Sequence, residues 1–186
     1  YTIFFTHYDW DHILGLTLAP PTFINQIPMR MYGPVEAGVG PKEMVKALFN
    51  RPFFPVDDKR FRHKMSFHAL THYDVHVIAI HPIGGYAIFS LDRYNDYVRR
   101  NGHLPISKGQ SFPISECLIV TMVQTNHGNA NCISYRFEEK PTGKTFVFCT
   151  DHEDVAAIGL DFRRHLSEVD LLIIDAQYSA EQYINT

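Results

Sequence analysis

The chain is poor in features that would assign it to a class at once. No apolar run among its 186 residues approaches the roughly 18 needed to cross a membrane, so no integral membrane segment is expected. Neither sign of charge dominates. The 17 Lys and Arg against 20 Asp and Glu leave a net charge of −3, which argues against a polyanion, and so against nucleic acid, as an obligate partner. The three cysteines, Cys117, Cys132 and Cys149, cannot all pair and include no CxxC spacing. They read as buried free thiols of a reducing, cytoplasmic compartment, with one disulfide left open. There is no GxSxG elbow to present a serine nucleophile. There is also no linker, internal repeat or low-complexity segment, so one domain is expected over 1–186.

What the chain has is an ordinary globular balance, 45% apolar and 20% charged, and eleven histidines in an uneven distribution. Alternating strand-like and helix-like segments point to an α/β layered architecture. Strands are expected at Thr2–Phe5, 29–34, 68–80, 117–125, 131–139, 144–150 and 169–175. Helices are expected from Asp11 to Leu18, stopped by Pro20-Pro21, and at 40–50, 89–102 and 154–168. Both ends look strand-like, at "YTIFFTH" and "DLLIID", which reads as a segment of a longer chain.

The densest chemistry lies in "FFTHYDWDHILGL". His7, Asp9, Asp11 and His12 fall within six residues where a strand feeds a loop and then a helix. Such a loop frees side chains from the ladder, and a helix start tolerates carboxylate. The spacing suits two cations, with one pair of ligands for each, and two cations need further ligands at other strand ends. His127, in "QTNHGNANC", and Asp151, in "FVFCTDHE", each follow an expected strand.

"THYDWDHILGL" resembles the signature of the metallo-β-lactamase superfamily, a His-x-His-x-Asp-His sequence between strand and helix. "NHGNANCISYRFE" is similar to its next histidine motif, "FVFCTDHE" to its bridging-aspartate motif, and "VDLLIIDAQYSAEQY" to a later strand. A "YGP" segment at Tyr32-Gly33-Pro34 matches one branch of uncharacterised hydrolases. The resemblance covers most of the chain in order and is weakest at 81–112, which reads as an insertion. It implies a four-layer αβ/βα sandwich of the metallo-β-lactamase type. It also implies a dinuclear, metal-dependent hydrolase whose nucleophile is a metal-bound hydroxide. His7, Asp9 and His127 would hold the first ion, Asp11 and His12 the second, and Asp151 would bridge. Asp11 would be the residue on which catalysis depends most. The last metal histidine of the branch is not found between Asp175 and Thr186. It either lies further on or is missing, and the first is favoured.

Asp9 stands where the common signature has histidine. A harder anionic oxygen there makes manganese or iron candidates beside zinc, the first choice. A phosphodiester is the favoured substrate, because two metals suit an in-line displacement. A thioester or lactam is the alternative, as is a degenerate domain kept for binding or regulation. Asp175, closing an expected buried strand, is read as orienting a ligand histidine. His103 is a candidate for substrate contact. "THYDVH" at 71–76 puts His72, Asp74 and His76 at alternate positions and is read as a solvent-facing strand edge without metal. His81 is read as a plain loop histidine, and His152 as pointing away from any ions. The basic stretch "KRFRHK" and Arg99-Arg100 read as solvated faces, and Cys149 as core.

Overall fold

A computed structural model describes residues 1–128, 130–153, 159–176 and 181–182. It is a mixed α/β structure of several sheets and few helices, and it divides into two compact units. The first comprises Tyr1–Tyr73 with Gly128–Ile133, and the second Asp74–His127 with Ser134–Thr186.

The first unit is built on a parallel three-stranded sheet, β1 (Thr2–Phe4), β2 (Met29–Pro34) and β3 (Met65–Leu70), in that order. Ile3 faces Met31, and Met31 faces Phe67. β2 is the central strand and is buried at five of its six residues, as expected of a parallel strand covered on both faces. Between β1 and β2 lie three single turns, α1 (Trp10–Ile13), α2 (Gly15–Leu18) and α3 (Pro20–Phe23). The continuous helix expected over 11–18 is therefore broken. The Thr17 hydroxyl donates back to the Leu14 carbonyl (2.7 Å), Gly15 opens the second turn, and Pro20 starts a third with its fixed φ.

α4 (Pro41–Leu48) forms where the spacing predicts it. Pro41 sits at its first turn, Glu43 accepts from the Gly40 N–H (3.3 Å), and Met44, Val45 and Leu48 face inward. They meet Phe5, Ile13, Leu16, Met29, Met31 and Met65 in one core. Phe23, Phe49, Phe54 and Phe61 close its end, with ring centroids 4.7–6.3 Å apart.

The strand expected over 68–80 is two strands. β3 ends at Leu70, residues 71–75 form a loop, and β4 (His76–His81) follows. His72 and Asp74 lie in that loop, so the strand edge read for "THYDVH" is corrected: only His76 belongs to a strand.

In the second unit, β4 pairs with β5 (Gly85–Ser90) as an antiparallel hairpin, and α5 (Leu91–Arg100) follows with the Ser90 hydroxyl accepting from the Arg93 N–H. A small antiparallel pair comes next, β6 (His103–Ser107) and β7 (Gln110–Pro113), turning at Gly109 with φ of 77°. The long strands β8 (Leu118–His127), β9 (Ala130–Glu139) and β10 (Lys144–Cys149) fall close to their expected positions. α6 (Leu160–Leu166) and β11 (Leu171–Ile174) complete the described elements. The first residues of the expected helix, 154–158, lie outside the described ones.

The six-stranded sheet runs β11-β10-β9-β8-β4-β5, with β10 and β11 parallel. Val77, Ala79, Phe89, Leu104, Ile106, Cys117 and Ile119 form a core against it. Cys117, Cys132 and Cys149 are all free and buried. No helix among the described residues is long and apolar enough to cross a membrane. β11 departs from expectation: as the sheet's edge strand it leaves Leu171 to Ile174 exposed at 38–55%, so the strand ending at Asp175 is not buried.

Candidate metal centre

In the first unit the parallel ladder delivers the ligand loop. The Phe5 N–H donates to the Tyr32 carbonyl (2.8 Å), one residue beyond β1, and the chain then leaves the sheet. The loop is pinned on both sides of its first histidine. The Thr6 carbonyl accepts from the Ile133 N–H (2.9 Å), and the Tyr8 hydroxyl donates to the Pro34 carbonyl (2.7 Å). Burial, with the nearby Tyr73, Glu43 and Glu36 adding to it, raises the Tyr8 pKa far above its ordinary value, so this hydroxyl keeps its proton. Gly33 makes room for it. A Cβ at that position would lie 2.6 Å from the Tyr8 oxygen.

Between these pins His7 is fully buried. Its Nδ1 lies 3.0 Å from the Thr6 hydroxyl and 3.7 Å from the Cys132 thiol. Its Nε2 lies 3.6 Å from Asp9 Oδ2. The His12 ring sits 4.2 Å from the His7 ring, centroid to centroid, and His12 Nε2 is 3.3 Å from Asp11 Oδ2. Asp9 occupies the N-cap position of α1 yet makes no capping hydrogen bond with its side chain, which turns towards His7 instead. Asp11 lies in the first turn and is largely exposed. Four residues within a six-residue span thus become two imidazoles beside two carboxylates.

In the second unit His127 is the last residue of β8 and is about one quarter exposed. Its Nδ1 lies 3.1 Å from Glu153 Oε1. Glu153 is tied to the same strand end through its own backbone, whose N–H donates to the Asn126 carbonyl (2.8 Å). Asp151 makes that return possible. It follows β10 with φ of 51°, a left-handed conformation that aspartate tolerates better than most residues. His152 is half-buried, its ring 4.7 Å from that of Phe162 in α6.

The other sequence candidates lie in varied settings. Asp175 is exposed, and its backbone N–H donates to the Cys149 carbonyl (3.2 Å); the burial expected of its carboxylate is corrected. His103 opens β6, is exposed, and donates from Nδ1 to the Asn101 carbonyl (2.8 Å). His81 is not a plain loop residue. It closes β4, is buried, accepts at Nδ1 from the Ile83 and Gly84 N–H groups (3.2 and 2.9 Å), and reaches Glu116 Oε2 with Nε2 (3.1 Å). The basic stretch is largely tied down locally: Arg62 meets Asp58 at 3.0 Å, and Lys64 donates to the Pro21 and Ile24 carbonyls. Arg99 pairs with Asp96.

Thr6, Tyr8 and Glu153 were missed by sequence reasoning. Thr6 and Tyr8 flank a ligand type directly, and "DHE" places a carboxylate two residues past Asp151. Those adjacencies were the available signals.

The donor chemistry fits divalent cations. Imidazole and carboxylate together accept zinc, manganese or iron, and Nδ1 of His7 and of His127 each faces another side chain, Thr6 and Glu153. The fold and these clusters define a mixed α/β protein with a candidate metal centre. Comparison with family models, with curated proteins and with solved structures finds no match.

Proposed function

We propose that this chain is a metal-dependent hydrolase with the four-layer architecture of the metallo-β-lactamase superfamily, acting on a phosphodiester. The proposed ligands, taken from the resemblance, are His7, Asp9, Asp11 and His12 in the first unit and His127 and Asp151 in the second. One observation carries the reading. A fully buried histidine has its Nδ1 held by a hydroxyl, its Nε2 turned to a carboxylate, and a second imidazole 4.2 Å away. The imidazole is buried while the carboxylate keeps 59% of its surface exposed, and nitrogen and hard oxygen side by side are a donor pair suited to a divalent cation.

When bound, zinc, or manganese or iron in its place, would supply Lewis acidity and lower the pKa of water towards neutrality. The chain's residues supply the rest. His7 and His127 bind through Nε2, while Thr6 and Glu153 fix their ring orientation. Tyr8 anchors the loop that carries His7 and Asp9. Asp11, exposed at the first turn of α1 with its Oδ2 3.3 Å from His12 Nε2, is the ligand carboxylate on which turnover would depend most. A phosphodiester is favoured over a thioester or lactam because paired cations suit in-line displacement at phosphorus.

The test is metal analysis of the purified protein together with hydrolysis of bis(p-nitrophenyl) phosphate, before and after chelation. Two ions per chain, and turnover that chelator removes and zinc or manganese restores, are expected. A protein that takes up no metal and turns nothing over is instead a binding or regulatory domain.

A further inference from the structure

We propose that Glu153 is a positioning residue, committing His127 to offer Nε2, and only Nε2, to a cation. The proposal rests on the reading of His127 as a ligand but concerns a residue outside that ligand set. An imidazole has two nitrogens, and the neutral ring carries its proton on one of them. An ionised carboxylate only accepts, so a Glu153 oxygen 3.1 Å from Nδ1 draws the proton to that nitrogen and places the ring's lone pair on Nε2.

The geometry is built for the purpose. A glutamate on a loose loop would spend side-chain entropy to hold this contact. Here the backbone of Glu153 is already bound to Asn126, the residue preceding His127, at 2.8 Å. The left-handed turn at Asp151 brings the chain back to that strand end. Backbone and side chain of one residue thus grip two successive residues of β8. In the first unit the Thr6 hydroxyl stands at Nδ1 of His7 in the corresponding role, as a neutral partner instead of a charged one.

Two readouts on the full chain test the assignment. The first is nitrogen-15 NMR of the His127 ring in the metal-free protein, which reports which nitrogen is protonated. The second is zinc affinity by competition with a chromophoric chelator. In the parent protein the Nδ1–H form should dominate. In Glu153→Ala the two neutral forms should become mixed, and zinc affinity should fall by about 10- to 100-fold. Glu153→Gln keeps an accepting oxygen, so it should retain the Nδ1–H form and recover most of the affinity.

An unchanged tautomer in Glu153→Ala overturns the proposal. So does an affinity loss in Glu153→Gln as large as in Glu153→Ala. A parent protein that binds no zinc defeats the metal reading, and the metal-free NMR comparison then still decides the role of Glu153. The Asn126 contact belongs to the backbone and survives each substitution, so circular dichroism and melting temperature should stay near the parent's.

Discussion

Tyr8 and Gly33 show how much one missing methyl group governs. Tyr8 lies between two proposed ligands and reaches the Pro34 carbonyl only because Gly33 has no Cβ. Gly33→Ala would put a carbon 2.6 Å from the phenol oxygen and 3.2 Å from the Phe5 Cβ. Either the phenol moves or the strand does. The expected cost is about 1–3 kcal/mol in urea unfolding, with weaker metal binding because the ligand loop shifts. Tyr8→Phe removes one hydrogen bond without adding bulk and should cost about 1 kcal/mol while leaving metal stoichiometry intact. If Gly33→Ala binds metal like the parent protein, the anchor does not set the loop. Asp9 invites a second substitution. It is 59% exposed and presents a hard oxygen to the Nε2 side of His7. Asp9→His exchanges that oxygen for nitrogen, and the zinc-to-manganese ratio taken up from an equimolar mixture should rise. An unchanged ratio would show that this position does not select the ion.

At the scale of elements, His81 shows a side chain acting as the keystone of a hairpin. Its Nδ1 accepts two backbone N–H groups from the β4–β5 turn, while its ring rests on Phe112, 4.1 Å between centroids. His81→Phe preserves an aromatic ring and removes both acceptors. Stability should fall by about 1–3 kcal/mol, and the Ile83 and Gly84 amides should exchange faster with deuterium than in the parent. Exchange left unaltered at those two amides would refute the role. The same residue marks the limit of what a sequence makes legible. The strand and loop around His7 could be read because their punctuation is local, whereas the helix expected after them is three separate turns; α4, β9 and β10 follow their periodicity closely. The work of His81 depends on Glu116 and Phe112, some thirty residues away, and no local pattern announces that. The contacts of His127 with Glu153 and of His7 with Cys132 are equally non-local. The β4–β5 and β6–β7 turns carry Gly84-Gly85 and Lys108-Gly109, yet neither hairpin is expected, because 81–112 reads as an insertion. β11 misled in the opposite direction: "LLII" has the composition of a strand covered on both faces, yet it forms an exposed edge.

At the scale of the whole molecule, acid should weaken the fold well before the carboxylates are neutralised. His165 in α6 is buried, with Nε2 2.9 Å from the Ser134 hydroxyl, and Arg136 donates to its carbonyl at 2.8 Å. Burial chiefly, and the Arg136 charge next, lower its pKa from 6.5 to about 4. His68 in β3 is lowered in the same direction, by burial and then by Arg30. A histidine whose folded pKa lies below its unfolded value binds its proton more readily after unfolding. Its neutral form therefore contributes stability that is fully present above pH 6.5. That contribution is lost progressively as pH falls towards 4, and below 4 no more is lost from this source. For His165 the shift corresponds to at most about 3 kcal/mol. The paired carboxylates Glu138 and Asp170 are held below their ordinary values by Lys140 and Lys144, among other contacts, so their contributions persist until pH falls through that lower range. The two sources separate on the pH axis. Urea unfolding between pH 7 and 4.5 should show stability falling steadily in the parent protein. His165→Gln, which can keep a polar contact with Ser134 but cannot titrate, should be less stable at pH 7 and show a flatter profile. A variant that loses stability with pH as steeply as the parent would remove His165 as the cause and leave the slope to groups elsewhere in the chain.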